Sequence, residues 1–179
     1  PADAPTAQVR AWREQHEPAI VGELNTLLAI PNNANDSANI RRNAALLIQM
    51  FEKRGATARL LELAGAPPAV FAELRTPGAT RTIVFYAHYD GQPVTQAEWA
   101  TPAWQPVLRA RPNDDGSFGA VKQGPVGGRY DPEDRIYARS ASDDKSPIVA
   151  MLAALDAMRA TSQKATVNLK FFQIGRAHV

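Results

Sequence analysis

The chain has no cysteine among its 179 residues. That excludes a disulfide framework, a thiolate zinc site and a thiol nucleophile. Histidine is scarce, with three in the sequence, so any imidazole chemistry falls to His16, His88 or His178. Charge of one sign is not in excess, because 20 lysines and arginines face 18 acids and leave +2. No basic run marks a nucleic-acid partner, and the sequence pI near 9.2 overstates how basic the surface is. No apolar run approaches the length that crosses a bilayer, so no membrane partner is expected. What is present is an ordinary globular composition, 45% hydrophobic and 21% charged. The length suits one domain, or part of a larger one, with a sizeable core.

Val9, Trp12, Ile20, Leu24, Leu27 and Leu28 recur at helical spacing, and Pro18 is expected to break or kink that helix. Ile30-Pro31-Asn32-Asn33 stops it. Asp36 or Ser37 is placed to cap a second helix with the stripe Ile40, Ala44, Leu47, Ile48 and Phe51, and Gly55 to close it. The period then changes to two, which predicts strands over 56–63, 68–75 and 81–87. The last has a continuous apolar centre, the pattern of a strand buried on both faces. After a short strand at 106–111, the polar stretch 112–135 reads as a long functional or mobile loop. A third helix carries Ile148, Met151, Leu152, Leu155 and Met158 on one face, with Ser146 as N-cap and Pro147 at its first position. Val167, Leu169 and Phe171 alternate with polar residues in a final strand. The order predicts an α/β fold, a three-layer sandwich around a mixed, mostly parallel central sheet. The opening Pro1-Ala2-Asp3-Ala4-Pro5-Thr6-Ala7 reads equally as the stretch after a removed signal peptide or as an arbitrary start. The first reading slightly favours a periplasmic or secreted location over a cytoplasmic one.

Two constellations carry candidate chemistry. In Tyr86-Ala87-His88-Tyr89-Asp90-Gly91-Gln92-Pro93, His88 follows a buried strand, where open α/β sheets bind ligands. Its imidazole suits a metal, and Asp90 is placed to accept the other ring N–H. Alone, the motif fits a hydrogen-bonded turn histidine as well. In Ile136 to Pro147, Asp143 and Asp144 precede a helix. A carboxylate there could bridge two cations, or both could simply complement the helix dipole.

Together the two segments resemble the co-catalytic zinc exopeptidase family of carnosinases, dipeptidases, aminoacylases, acetylornithine deacetylases and succinyl-diaminopimelate desuccinylases. The matching residues are His88, Asp90, Arg139, Ala141, Asp143 and Lys145, with the helix from Pro147. Tyr89, Gln92-Pro93, Trp99, Pro102 and Trp104-Gln105-Pro106 look most like its dipeptidase and carnosinase branch. Ala138, Ser140 and Ser146 stand where that family usually has glycine, so each could strain the backbone. The resemblance implies two zinc ions, with cobalt or manganese as alternatives. It implies that His88 binds one zinc, that Asp143 bridges both, and that Asp90 orients His88. It further implies a cis Asp143–Asp144 peptide bond and a homodimer at full length.

In that family a Glu-Gly-x-Glu-Glu segment follows the next buried strand and supplies the general base and a zinc ligand. Here Val167 to Phe172 is followed by Gln173-Ile174-Gly175-Arg176-Ala177-His178-Val179, without an acid. The last six residues translate ATC-GGA-AGA-GCA-CAC-GTC, a run found in a widely used sequencing-library adapter. Read-through at or near Gln173 is therefore expected. On that view residues 1–173 are the N-terminal portion of the catalytic domain, and 174–179, with His178, are foreign to it. The expected function is metal-assisted hydrolysis of a dipeptide or an N-acyl amino acid by the full-length parent, the 179-residue chain itself being inactive. The competing readings are a catalytically dead peptide-binding or structural relative and a magnesium phosphoryl-transfer enzyme. The second lacks a Gly-x-x-x-x-Gly-Lys loop.

Overall fold

The computed structural model describes residues 4–175. Helices α1 (Ala4–Gln15) and α2 (Glu17–Leu28) part at His16. Pro18 sits in the first turn of α2, where its missing N–H costs no hydrogen bond. Helix α3 (Ser37–Glu52) is capped by Asp36, whose carboxylate accepts from the Asn39 amide at 3.1 Å. Strands β1 (Thr57–Leu61), β2 (Ala69–Leu74), β3 (Thr82–His88), β4 (Val107–Arg109) and β5 (Arg135–Tyr137) follow. Helix α4 (Ser146–Ala160) and strand β6 (Asn168–Ile174) complete the order.

The main sheet runs β1-β2-β6-β3 and is mixed, as expected. Parallel pairing is not in the majority, however, since β1–β2 and β2–β6 are antiparallel and only β3–β6 is parallel. The reason is connection length: a short turn returns β1 to β2, whereas only β3 reaches β6 through a helical crossover, α4. One face is covered. Leu27, Ile40, Leu47, Phe51, Val70, Ile148 and Leu152 are fully buried there, and Phe171 lies 5.0 Å from Phe51 and 5.3 Å from Phe85, ring centre to ring centre. Beneath the helices, Arg54 of the α3–β1 turn donates to Glu23 at 2.7 Å and to Asp156 at 2.6 Å, tying α2 to α4.

The other face is bare along β3. Val84 is 62% and Tyr86 58% exposed, so this strand is not buried on both sides, and the described residues form two of the three expected layers. Stretch 112–135 holds no helix or strand before β5, as expected of a long loop. It folds back on β4 through Ala110 N–H to Ala120 O and Lys122 N–H to Leu108 O, at 2.8 and 2.9 Å, before entering β5. At the start of α4, Ser146 is already helical (φ −66°, ψ −39°) and Lys145 holds the N-cap position without a side-chain cap bond, so Ser146 supplies no capping hydroxyl. Ile174 continues β6 opposite His88. His178 and the rest of 176–179 lie outside the described residues.

Candidate metal centre

His88 ends β3 at the carboxyl edge of the sheet, and its side chain is 11% exposed. Its Nδ1 lies 3.3 Å from Asp90 Oδ1 and 3.2 Å from Asp90 O. Asp90 itself is fully buried. Two oxygens facing Nδ1 favour the tautomer with its proton there and the lone pair on Nε2. That nitrogen stands 3.0 Å from Asp143 Oδ1. Two lone-pair atoms at that separation call for a proton or a cation between them. Neighbouring ligands on one tetrahedral zinc, each at about 2.0–2.1 Å, stand roughly 3.3–3.4 Å apart. At 3.0 Å the pair stands slightly closer than that and would open a little to form one edge of a metal site. It offers two of the four donors such a site needs, and among the described residues no three His, Cys, Asp or Glu side chains stand together in an arrangement that could hold a metal ion.

The loop that carries Asp143 is an irregular wide turn over Ala141–Lys145. Asp143 (φ −118°, ψ 94°) and Asp144 (φ −136°, ψ 25°) leave helical geometry, and the bond between them is cis, as the resemblance implied. Asp143 points outward with its side chain 73% exposed. Asp144 turns inward and accepts from the His88 amide at 3.2 Å. Next to it, Lys145 is fully buried and donates to Leu27 O at 2.7 Å and Ile30 O at 3.1 Å, carbonyls at and just past the end of α2. Burial pushes its pKa down to about 7.

A buried amide joins these loops. Asn32 Nδ2 donates to Tyr89 O at 2.8 Å and to Ser140 Oγ at 2.9 Å, and its Oδ1 accepts from Trp104 Nε1 at 3.3 Å. Its own carbonyl accepts from the Gly91 amide at 2.9 Å. Gly91 is required by this contact, because a Cβ there would stand 2.3 Å from Ser140 Oγ. Of the three departures from glycine, only Ser140 adopts a left-handed backbone, with φ 63°. Its hydroxyl gains the Asn32 bond, which offsets part of the cost. Arg139 lies 5.0 Å over the Trp99 ring and donates to Pro93 O at 3.4 Å, so the aromatic segment after β3 packs against the Asp143 loop.

The sequence pointed to His88, Asp90 and Asp143, and the fold brings them together. It did not point to Asn32, nor to what Lys145 holds. An Asn-Asn pair after proline reads as a turn, and nothing in its spacing reveals contacts with residues 57 and 108 positions away.

The model of peptidase family M20/M25/M40 matches residues 84–174, which contain both motif loops. The chain belongs to this family. A beta-Ala-His dipeptidase of Homo sapiens is 30% identical over 106 residues, covering 59% of this chain and 16% of the relative. A Cys-Gly metallodipeptidase of Candida albicans is 28% identical over 172 residues, covering 87% of this chain and 31% of its own length. The chain thus spans under a third of the curated relatives it matches. The crystal structure of human carnosine dipeptidase 1 superposes with a TM-score of 0.73 at 23% identity, covering 99% of this chain and 36% of that one, which establishes the shared α/β fold.

Proposed function

We propose that this chain is part of the catalytic domain of a metal-dependent M20-family dipeptidase, which hydrolyses the amide bond of a dipeptide or an N-acyl amino acid. The observation that carries the reading is the 3.0 Å approach of His88 Nε2 to Asp143 Oδ1, with Asp90 closed behind Nδ1. In this reading His88 binds one zinc, Asp143 bridges two, and Asp90 fixes the ring and raises its basicity; cobalt or manganese are the alternative metals. The metals, when bound, supply Lewis acidity for the amide carbonyl and for a water near neutral pH. An aspartate at 143 has two anionic oxygens for the bridge, and its exposure leaves it open to substrate. The remaining donors and the general base come from outside residues 1–179, and the longer polypeptide acts as a homodimer. The dipeptides named in the relatives, beta-Ala-His and Cys-Gly, are the first substrates to try.

The test is dipeptide hydrolysis by the full-length protein with and without a chelator. The expected result is chelator-sensitive turnover, restored by zinc and abolished in His88→Ala and in Asp143→Ala, with none from the 179-residue chain alone. Turnover that ignores the chelator, or that survives both substitutions, overturns the reading.

A further inference from the structure

We infer that Asn32 is the positioning residue that holds the two motif loops of this site at ligand spacing; the inference rests on the metal-site reading above. Its side chain is fully buried, and both N–H donors are spent on the site. One goes to Tyr89 O, between His88 and Asp90, and the other to Ser140 Oγ, three residues before Asp143, at 2.8 and 2.9 Å. The remaining acceptor takes Trp104 Nε1 at 3.3 Å. An amide is the one small side chain with two donors and an acceptor in a plane, so it alone satisfies a carbonyl, a hydroxyl and an indole N–H at once.

Asn32 is itself held from below. Lys145 donates to Leu27 O and Ile30 O at 2.7 and 3.1 Å, and Asn43 Nδ2 donates to Pro31 O at 2.8 Å. The segment 27–33 is therefore a fixed post between the helices and both loops. The Asn33–Gly91 bridge continues it as a short piece of parallel pairing. Without Asn32, Tyr89 O is buried and unpaired, and Ser140 keeps φ 63° with no compensating bond.

The experiment compares the full-length protein with Asn32→Ala, Asn32→Asp and Arg54→Met, the last being far from the site. Metal-free hydrogen–deuterium exchange is read at 88–91 and 138–141, and Co2+ is then titrated with its visible absorption recorded. Asn32→Ala is expected to speed exchange in both loops and to weaken Co2+ binding about 10–100-fold, with a changed absorption band. Asn32→Asp keeps the volume and the indole acceptor but faces the Tyr89 carbonyl with an oxygen, so it is expected to show the same pattern. Arg54→Met is expected to lose stability and keep the Co2+ affinity. Unchanged exchange in both loops, or an unchanged Co2+ affinity and spectrum in folded Asn32 variants, overturns the proposal. A wild-type protein that takes up no Co2+ overturns the metal-site reading instead, and the metal-free exchange distinguishes that failure from this one.

Discussion

Val70 on β2 and Val84 on β3 belong to the same sheet, yet the first is fully buried and the second is 62% exposed. The residues around them differ accordingly. Val70 shares its face with Ala72, Leu169 and Phe171 under α3 and α4. Val84 shares the opposite face with Lys170 and, two strands away, Glu73. On that face the strands from β1 to β6 manage exposure with charge. Arg59 and Lys170 lie 5.3 and 5.9 Å over the Phe71 ring, and Lys170 approaches Glu73 at 3.7 Å. The strip along β3, with Val84 and Tyr86, has no such cover among the described residues. The motif loops sit at the junction of the two regimes. Asn32, Asp90 and Lys145 face the covered side at full burial, while Asp143 faces outward, so the holding parts are complete within the core and the reacting side is open.

The largest effect expected from disturbing the covered side is at Arg54. Burial opposes its charge, yet Glu23 and Asp156 hold the guanidinium above its ordinary pKa. Arg54→Met removes both partners' counter-charge and the side-chain donors to Met50 O and Leu152 O. Removing one member of a buried ion network costs about 3–5 kcal/mol. Glu23 and Asp156 retain 22% and 34% exposure, so about 2–4 kcal/mol is expected here, read as a fall in the urea midpoint. A loss under about 0.5 kcal/mol would show that solvent already carries those charges.

Gln173 tests the same face with the opposite sign. It is fully buried opposite Val70 and Ala87, and neither Nε2 nor Oε1 has a hydrogen-bond partner among the described residues. An amide stripped of water without compensation costs about 1–3 kcal/mol. Gln173→Leu keeps the volume and is expected to raise stability by about that amount in the same denaturation assay. A destabilised Gln173→Leu would mean that the amide has a polar partner in solution.

Legibility followed the distance over which each signal acts. The helices, their break just ahead of Pro18 and the Asp36 cap depend on neighbours a few residues apart, and those were readable. Strand positions were readable too, but not their environment: an apolar run such as Ile83 to Ala87 fits a central strand and equally an edge strand with one bare face. For 112–135 composition announced the loop but not its path, which Gly119 lets fold against Ala110 where a Cβ would clash with Ala110 O. At the site, His88, Asp90 and Asp143 were legible because their types carry chemistry. Asn32 was not, since its importance lies in three partners that only the fold assembles.

The smallest expected effect sharpens the comparison most, because it makes one chemical change on two faces. Val→Ala deletes two methyl groups in each case. At Val70 the loss of about 0.8 kcal/mol per buried methylene plus a cavity term predicts roughly 2 kcal/mol. At Val84 the methyl groups already meet water, and the expected cost stays within about 0.5 kcal/mol, set by strand propensity alone. Urea unfolding of both variants, run at two protein concentrations, separates the outcomes. Equal losses at both sites would mean that β3 is covered in solution. A Val84 loss that grows with concentration would identify that cover as a second copy pairing along an open apolar strand, the association that natural edge strands are built to avoid.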